Sequence, residues 1–270
     1  MKYLEDFFKI YNDYASVDAY YSLSYEGRNR TLVLKFYDTL ADILDSNPSE
    51  ESILKSLKSL FTELSQYKKD KSTKIQISSN EVNIKNILLF DLNDTLKLFY
   101  KAARSYHVYR QELEKNNLIE LYIKNVENDY RRSFVDSWHV PTREQIYTLI
   151  GSDNAMPRTK SMLKQSLMEF NNAISHIHAA LVMNNEEIVI NNLKRAQGHF
   201  HRACLDFYKA IVKDLAFLSK VSGFESDIIE VRLKEYQSIG HDHINREAVI
   251  EWYADLVDKL LGKGSYTNGT

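Results

Sequence analysis

The chain has 270 residues, 44% of them hydrophobic, and a formal net charge of −2. That is enough for one large or two ordinary domains with a real core, and it gives no global positive field to attract nucleic acid or an acidic membrane. Eight glycines and three prolines are too few turn residues for the many short strands of a sandwich or barrel, so long helices joined by few turns are expected.

The single cysteine, Cys204, excludes an intramolecular disulfide and a cysteine-rich zinc site, and it suits a reducing compartment. The opening MKYLEDFFKIYNDY places acids and tyrosines where a signal peptide needs an apolar stretch. No run approaches the roughly 20 apolar residues of a membrane span. A cytoplasmic protein without membrane contact is expected.

Leu4, Phe7, Phe8, Tyr11, Tyr14 and Ala15 recur every three or four residues and predict an amphipathic helix over 3–23. EGRNR at 26–30 breaks it, and a second helix runs through Val33, Phe36, Tyr37, Leu40 and Leu44. Asn47-Pro48-Ser49-Glu50-Glu51 reads as a stop and restart, with Ser49 as cap and two acids suiting the helix dipole. The third helix passes through Leu54, Leu57, Phe61, Leu64 and Tyr67. KKDKSTK at 68–74 reads as a charged loop. IQI at 75–77 and VNI at 82–84 alternate apolar and polar, which predicts a small β-hairpin near 74–85.

Helical spacing returns over 92–115 with Leu96, Phe99, Ala103, Tyr106 and Leu113, and again from Tyr122 to Trp138. Thr142 with Gln145 predicts a short capped helix. GSDNAMP at 151–157 is the clearest boundary. Leu163, Leu167, Phe170, Ile174, Ile177 and Leu181 then recur at alternating intervals of four and three. Asn184-Asn185 forms a turn, Glu186 and Glu187 open the next helix, and Leu193, Ala196, Phe200, Ala203, Phe207, Ala210 and Leu218 continue the spacing. Two matched seams with a tight connection predict an antiparallel helical hairpin. Gly223 and Gly240 delimit a helix around Ile228–Tyr236, and Asn245 caps a last helix through Val249, Trp252, Tyr253, Leu256 and Leu260.

The expected fold is therefore all-α with one small β-hairpin near 74–85. An N-terminal helical region spans 1–150, a four-helix bundle spans 158–262, and 263–270 form a flexible tail.

Six of the eight histidines fall in His-x-His pairs, at 176–178, 199–201 and 241–243. Helical residues two apart point about 200° away from one another, so such a pair on a helix cannot chelate one metal. No metal and no cofactor is expected. His201 and Cys204 are three apart and His178 lies across the hairpin, but a fourth zinc ligand is missing. Cys204, central in a helix expected to be buried, reads as an inert thiol. His199 shares a stripe with Arg195, Arg202 and Asp206, which reads either as a solvated face or as an anion-binding, RNA-cleaving one. HDH at 241–243 resembles the HD phosphohydrolases in one dipeptide; a polar turn before a helix accounts for it equally.

Arg195 and His201 enclose AQGHF on a bundle helix. This resembles the HEPN ribonucleases, which carry an arginine, four to six residues and a histidine on a bundle helix and act as dimers. The resemblance covers about 105 residues of the C-terminal region and implies Arg195, His199 and His201 as catalytic residues of a metal-independent ribonuclease. Ala196 stands where that family has a polar residue, so the resemblance equally implies an inactive HEPN-like bundle. Arg132 and His139 meet the same spacing.

A hairpin after a helix also admits a winged-helix reading. There Lys68, Lys69, Lys71 and Lys74 would contact the phosphates of RNA or DNA, with Lys55 and Lys58 on the preceding helix. The reading adopted is a non-enzymatic interaction or regulatory protein whose partner is a protein, itself included. Eighteen tyrosines exceed the number that core patterning uses, and tyrosine favours interfaces because it is apolar with a polar tip. Tyr14, Tyr20, Tyr21 and Tyr25 are the expected interface residues.

Overall fold

The computed structural model describes residues 2–23, 30–44, 49–70, 82–83, 85–86, 92–115, 164–217, 223–238 and 244–263. Among them are eight helices and no strand. They are α1 (Lys2–Leu23), α2 (Arg30–Leu44), α3 (Glu50–Asp70), α4 (Asn93–Lys115), α5 (Lys164–Val182), α6 (Glu186–Phe217), α7 (Glu225–Ser238) and α8 (Ile244–Lys263). The protein is all-α, a helical bundle.

The helix starts follow the chemistry of their caps. Ser49 Oγ accepts the Ser52 N–H at 3.0 Å, which satisfies one orphan donor of α3, and its carbonyl takes the Ile53 N–H as the first bond of the helix ladder. Asn185 does the same for α6, its side chain accepting from Ile188 at 3.1 Å and its carbonyl from Val189 at 2.9 Å. Gly223, just before α7, sits at φ 85°, a conformation that a residue with a Cβ rarely adopts.

Contacts gather the chain into two compact units, Met1–Tyr100 with Leu167–Phe200, and Lys101–Ser166 with His201–Thr270. Helices α4, α5 and α6 each contribute to both. The units therefore follow packing rather than the sequential split of 1–150 and 158–262, and the expected boundary at 151–157 lies outside the described residues.

In the first unit α1, α2 and α3 pack on one another around an aromatic core. The Phe36 ring lies 5.6 Å from Phe7, 5.1 Å from Tyr11 and 5.2 Å from Tyr14. Phe99 stacks on Phe170 at 5.7 Å and meets Phe200 at 5.0 Å. Fully burying one such ring contributes roughly 1.5–3 kcal/mol.

Tyr14 has no exposed surface: it is a core residue rather than the interface residue expected. Tyr25 and the side chains of Tyr20 and Tyr21 lie outside the described residues. Among the described residues eight tyrosines are buried, namely Tyr11, Tyr14, Tyr37, Tyr67, Tyr106, Tyr109, Tyr208 and Tyr253. Much of the tyrosine surplus thus fills cores, because a phenol can be buried where its hydroxyl finds a partner, as Tyr11 does with Ser175 at 3.0 Å.

The second arm of the expected hairpin is not a strand where it is described. Val82 and Asn83 are irregular, and Lys85 and Asn86 form a 3₁₀ turn. The Asn83 N–H donates to the Leu181 carbonyl at 2.9 Å. The Asn86 amide donates to the carbonyls of Ala180 at 2.8 Å and Met183 at 2.9 Å. These are orphan acceptors at the C-terminus of α5, so the segment caps a helix instead of pairing with a neighbouring strand. The other expected strand residues, 74–81 and Ile84, lie outside the described residues. Lys68 and Lys69, expected in a loop, are in the last turn of α3, while Lys71 and Lys74 lie outside the described residues.

In the second unit α7 packs on α8. Tyr106 of α4 meets Phe207 of α6 at 5.4 Å. A polar network centres on Glu235, which accepts hydrogen bonds from Lys209, from Arg232 and from Tyr253 at 2.7 Å. It links α6, α7 and α8.

Candidate functional site

The α5–α6 hairpin assembles one polar cluster in the first unit. The tight turn fixes its antiparallel register. His176 and Asn192 lie eight residues either side of Asn184, and Glu169 and His199 lie fifteen either side; both pairs are in contact.

The Asn192 amide donates to the Ile188 carbonyl at 2.9 Å, so its oxygen turns to His176 and accepts from Nδ1–H at 2.9 Å. In the neutral ring Nε2 then carries the lone pair. His199 points Nδ1 at the Glu169 carboxylate, 2.6 Å away, with both side chains largely buried. The two imidazoles stack at 5.2 Å and 22°. Arg195, one turn before His199 on the same helix face, is exposed.

Of the three residues that the HEPN resemblance singled out, Arg195 and His199 thus share a face. His201 does not join them. It is 1% exposed, with Nε2 3.5 Å from a Glu247 carboxylate oxygen, inside the second unit. The reason is the helical turn of about 100° per residue, which sends neighbours two apart to opposite sides. Glu169 and Asn192 belong to no motif in the sequence, and His176 stood out there only as half of a His-x-His pair. The available signal was the tight turn itself: folding the chain about Asn184 places each opposite its partner.

His178 faces α1, with Nε2 2.7 Å from the Asn12 side-chain oxygen; burial pulls its pKa below the ordinary histidine value. Cys204 is fully buried, and burial pushes its thiol well up, away from the reactive thiolate. Among the described residues no three His, Cys, Asp or Glu side chains are grouped to hold a metal ion. His139 and His241–His243 lie outside the described residues.

Along α3 a shallow groove is lined by Lys55, Lys58, Ser59, Thr62, Glu63, Gln66 and Tyr67. Lys35 beside it is held by Ser59 at 2.9 Å and Glu63 at 3.7 Å.

The second unit carries a surface feature of another kind. Among the apolar residues of α7 only Val231 is buried. Ile229, Leu233 and Tyr236 are 59%, 54% and 57% exposed, and their spacing of four and three puts them on one stripe. Lone exposed apolar residues are ordinary, and here three lie in a row along one helix. Among the described residues no helix is long and apolar enough to cross a membrane.

No family model matches the chain, and no curated protein or solved structure matches it. The fold defines an all-α helical protein.

Proposed function

We propose that this protein is a non-enzymatic helical interaction module that works by protein–protein contact, with α7 as its contact surface. The observation that carries this is the outward apolar stripe Ile229, Leu233 and Tyr236. Among the described residues the other large apolar and aromatic side chains are mostly buried, with Leu54 and Phe61 of α3 among the exceptions, so a helix that turns three of them to water and one to its own unit is built for a partner. Aromatic and large aliphatic side chains at the centre of a patch carry most of the energy of such contacts. A photo-crosslinking residue at position 233, in the cells from which the protein comes, is expected to yield protein adducts. One at exposed Glu251 of α8 is the control. Adducts to RNA only, or none at either position, overturn the reading.

A second reading, a metal-independent ribonuclease of the HEPN kind, is favoured by one observation: the stacked pair His176 and His199 beside exposed Arg195. One imidazole would take a proton from the attacking hydroxyl, the other would return one to the leaving oxygen, and the guanidinium would steady the phosphate. Incubated with structured and unstructured RNA, the protein is expected to leave both intact. Cleavage that is lost in His176→Gln and His199→Gln at unchanged Tm would move the function to this reading, since a general acid or base contributes about 10²–10⁴-fold.

A further inference from the structure

We infer that the partner of α7 is a second copy of this chain, docked stripe to stripe with the two helices antiparallel. The inference rests on the reading of α7 as a contact surface and names what it contacts.

Two features favour a self-complementary contact. The first is spacing. Ile229, Leu233 and Tyr236 are separated by four and three residues, the interval of a coiled-coil seam. A two-fold axis between Arg232 and Leu233 sets Ile229 opposite the partner's Tyr236, and Tyr236 opposite the partner's Ile229. Leu233 then meets the partner's Leu233 at the centre. An isologous contact of this kind closes on itself and stops at a dimer.

The second feature is charge. The first half of α7 carries Glu225, Asp227 and Glu230, and the second half carries Arg232 and Lys234; of these Asp227 also reaches Lys259 and Arg232 also bonds Glu235 and Tyr253, while Glu235 turns inward to Lys209. Antiparallel docking lays the acidic half on the basic half twice over, whereas parallel docking opposes like charges. Glu230 and Lys234 already pair along the helix; the Glu230 side chain is exposed, while Lys234 is half-buried with its ammonium 5.4 Å from the Trp252 ring of α8. The same axis brings each beside its opposite on the partner.

The contact is small. A 14-residue helix is about 21 Å long, so one face falls short of the roughly 800 Å² per partner of a standard interface. A weak, concentration-dependent dimer is therefore expected.

Sedimentation equilibrium of the full chain, from about 1 to about 500 μM, reads the state directly. Wild type is expected to pass from monomer to dimer across this range. Leu233→Glu is expected to weaken association at least about tenfold with an unchanged melt, because Leu233 is exposed in the monomer. Glu230→Lys and Lys234→Glu are each expected to weaken it, and the double variant Glu230→Lys/Lys234→Glu to restore it, since only an antiparallel dimer returns opposite charges to contact. Wild type that stays monomeric throughout overturns the inference, as do charge variants without effect or a dimer that persists in Leu233→Glu. If wild type is monomeric while the position-233 crosslinker still captures other proteins, the contact surface stands and the second copy falls. If neither association nor adducts are found, both fall.

Discussion

Glu235 shows how one side chain joins three helices. Burial alone would raise its carboxyl, but hydrogen bonds from Lys209 and Tyr253 and the nearby Arg232 charge together hold it below the ordinary carboxylate range. Tyr253, pushed mainly by burial and further by Glu235, against the opposing pull of Arg232, rises to about 12 and stays protonated as a donor. A carboxyl whose pKa is depressed on folding contributes stability that is present above its unfolded value, about 4.3 for glutamate, and is lost as the pH falls through the folded value. Glu235→Gln is therefore expected to cost roughly 1–2 kcal/mol at pH 7, the worth of hydrogen bonds to a charged group discounted for partial solvent screening. Urea midpoints at pH 7 and near pH 3 check this: the gap between variant and wild type should narrow in acid. His178 acts in the same direction through a different cause. Its pKa is lowered by burial, so the unfolded chain binds its proton first, and stability falls as the pH drops below about 6.5. A ring titration by NMR with its midpoint above the ordinary histidine value would contradict a buried, neutral His178.

Among the elements, the α5–α6 hairpin was the most legible. Of its seam residues Leu167, Phe170, Ile174, Ile177, Leu181, Leu193, Ala196, Phe200, Ala203 and Phe207 are buried and Ala210 is half-buried, while Leu163 and Leu218 lie outside the described residues; a four–three repeat leaves one face apolar and water drives that face inward. Phe200→Ala is expected to cost about 3–5 kcal/mol, the range for emptying a fully buried phenylalanine site, measured as a lowered denaturation midpoint. The segment 82–86 was the least legible. VNIKN alternates like a strand, and nothing local reveals that Asn83 and Asn86 will meet the carbonyls of a helix about a hundred residues further on. Asn86→Ala leaves buried acceptors at the end of α5 unpaired and is expected to cost about 1–3 kcal/mol. A neutral result in thermal melts would show that Asn86 is not the cap. On α7 the sequence marked the helix but not its outward stripe, since periodicity reports that a face is apolar and not whether the same chain covers it.

At the scale of the whole molecule, the fold class was written in composition and period. Few glycines and prolines with long runs of three–four spacing admit little besides helices, and far-UV circular dichroism is expected to be dominated by helix. The helices that are described and their apolar seams follow from interactions within a few residues, so the sequence by itself determined them; of the expected caps Ser49 is one, whereas Asn245 lies inside α8. The membership of the two units did not follow from chain order, because α4, α5 and α6 are long enough to contribute to both. The fate of the tyrosines, the cap at Asn86, the meeting of His176 with His199 and the separate burial of His201 also needed the tertiary structure. Each depends on which side chain lies opposite across a helix contact, and that is decided by packing between segments distant in sequence, where local propensity carries no information.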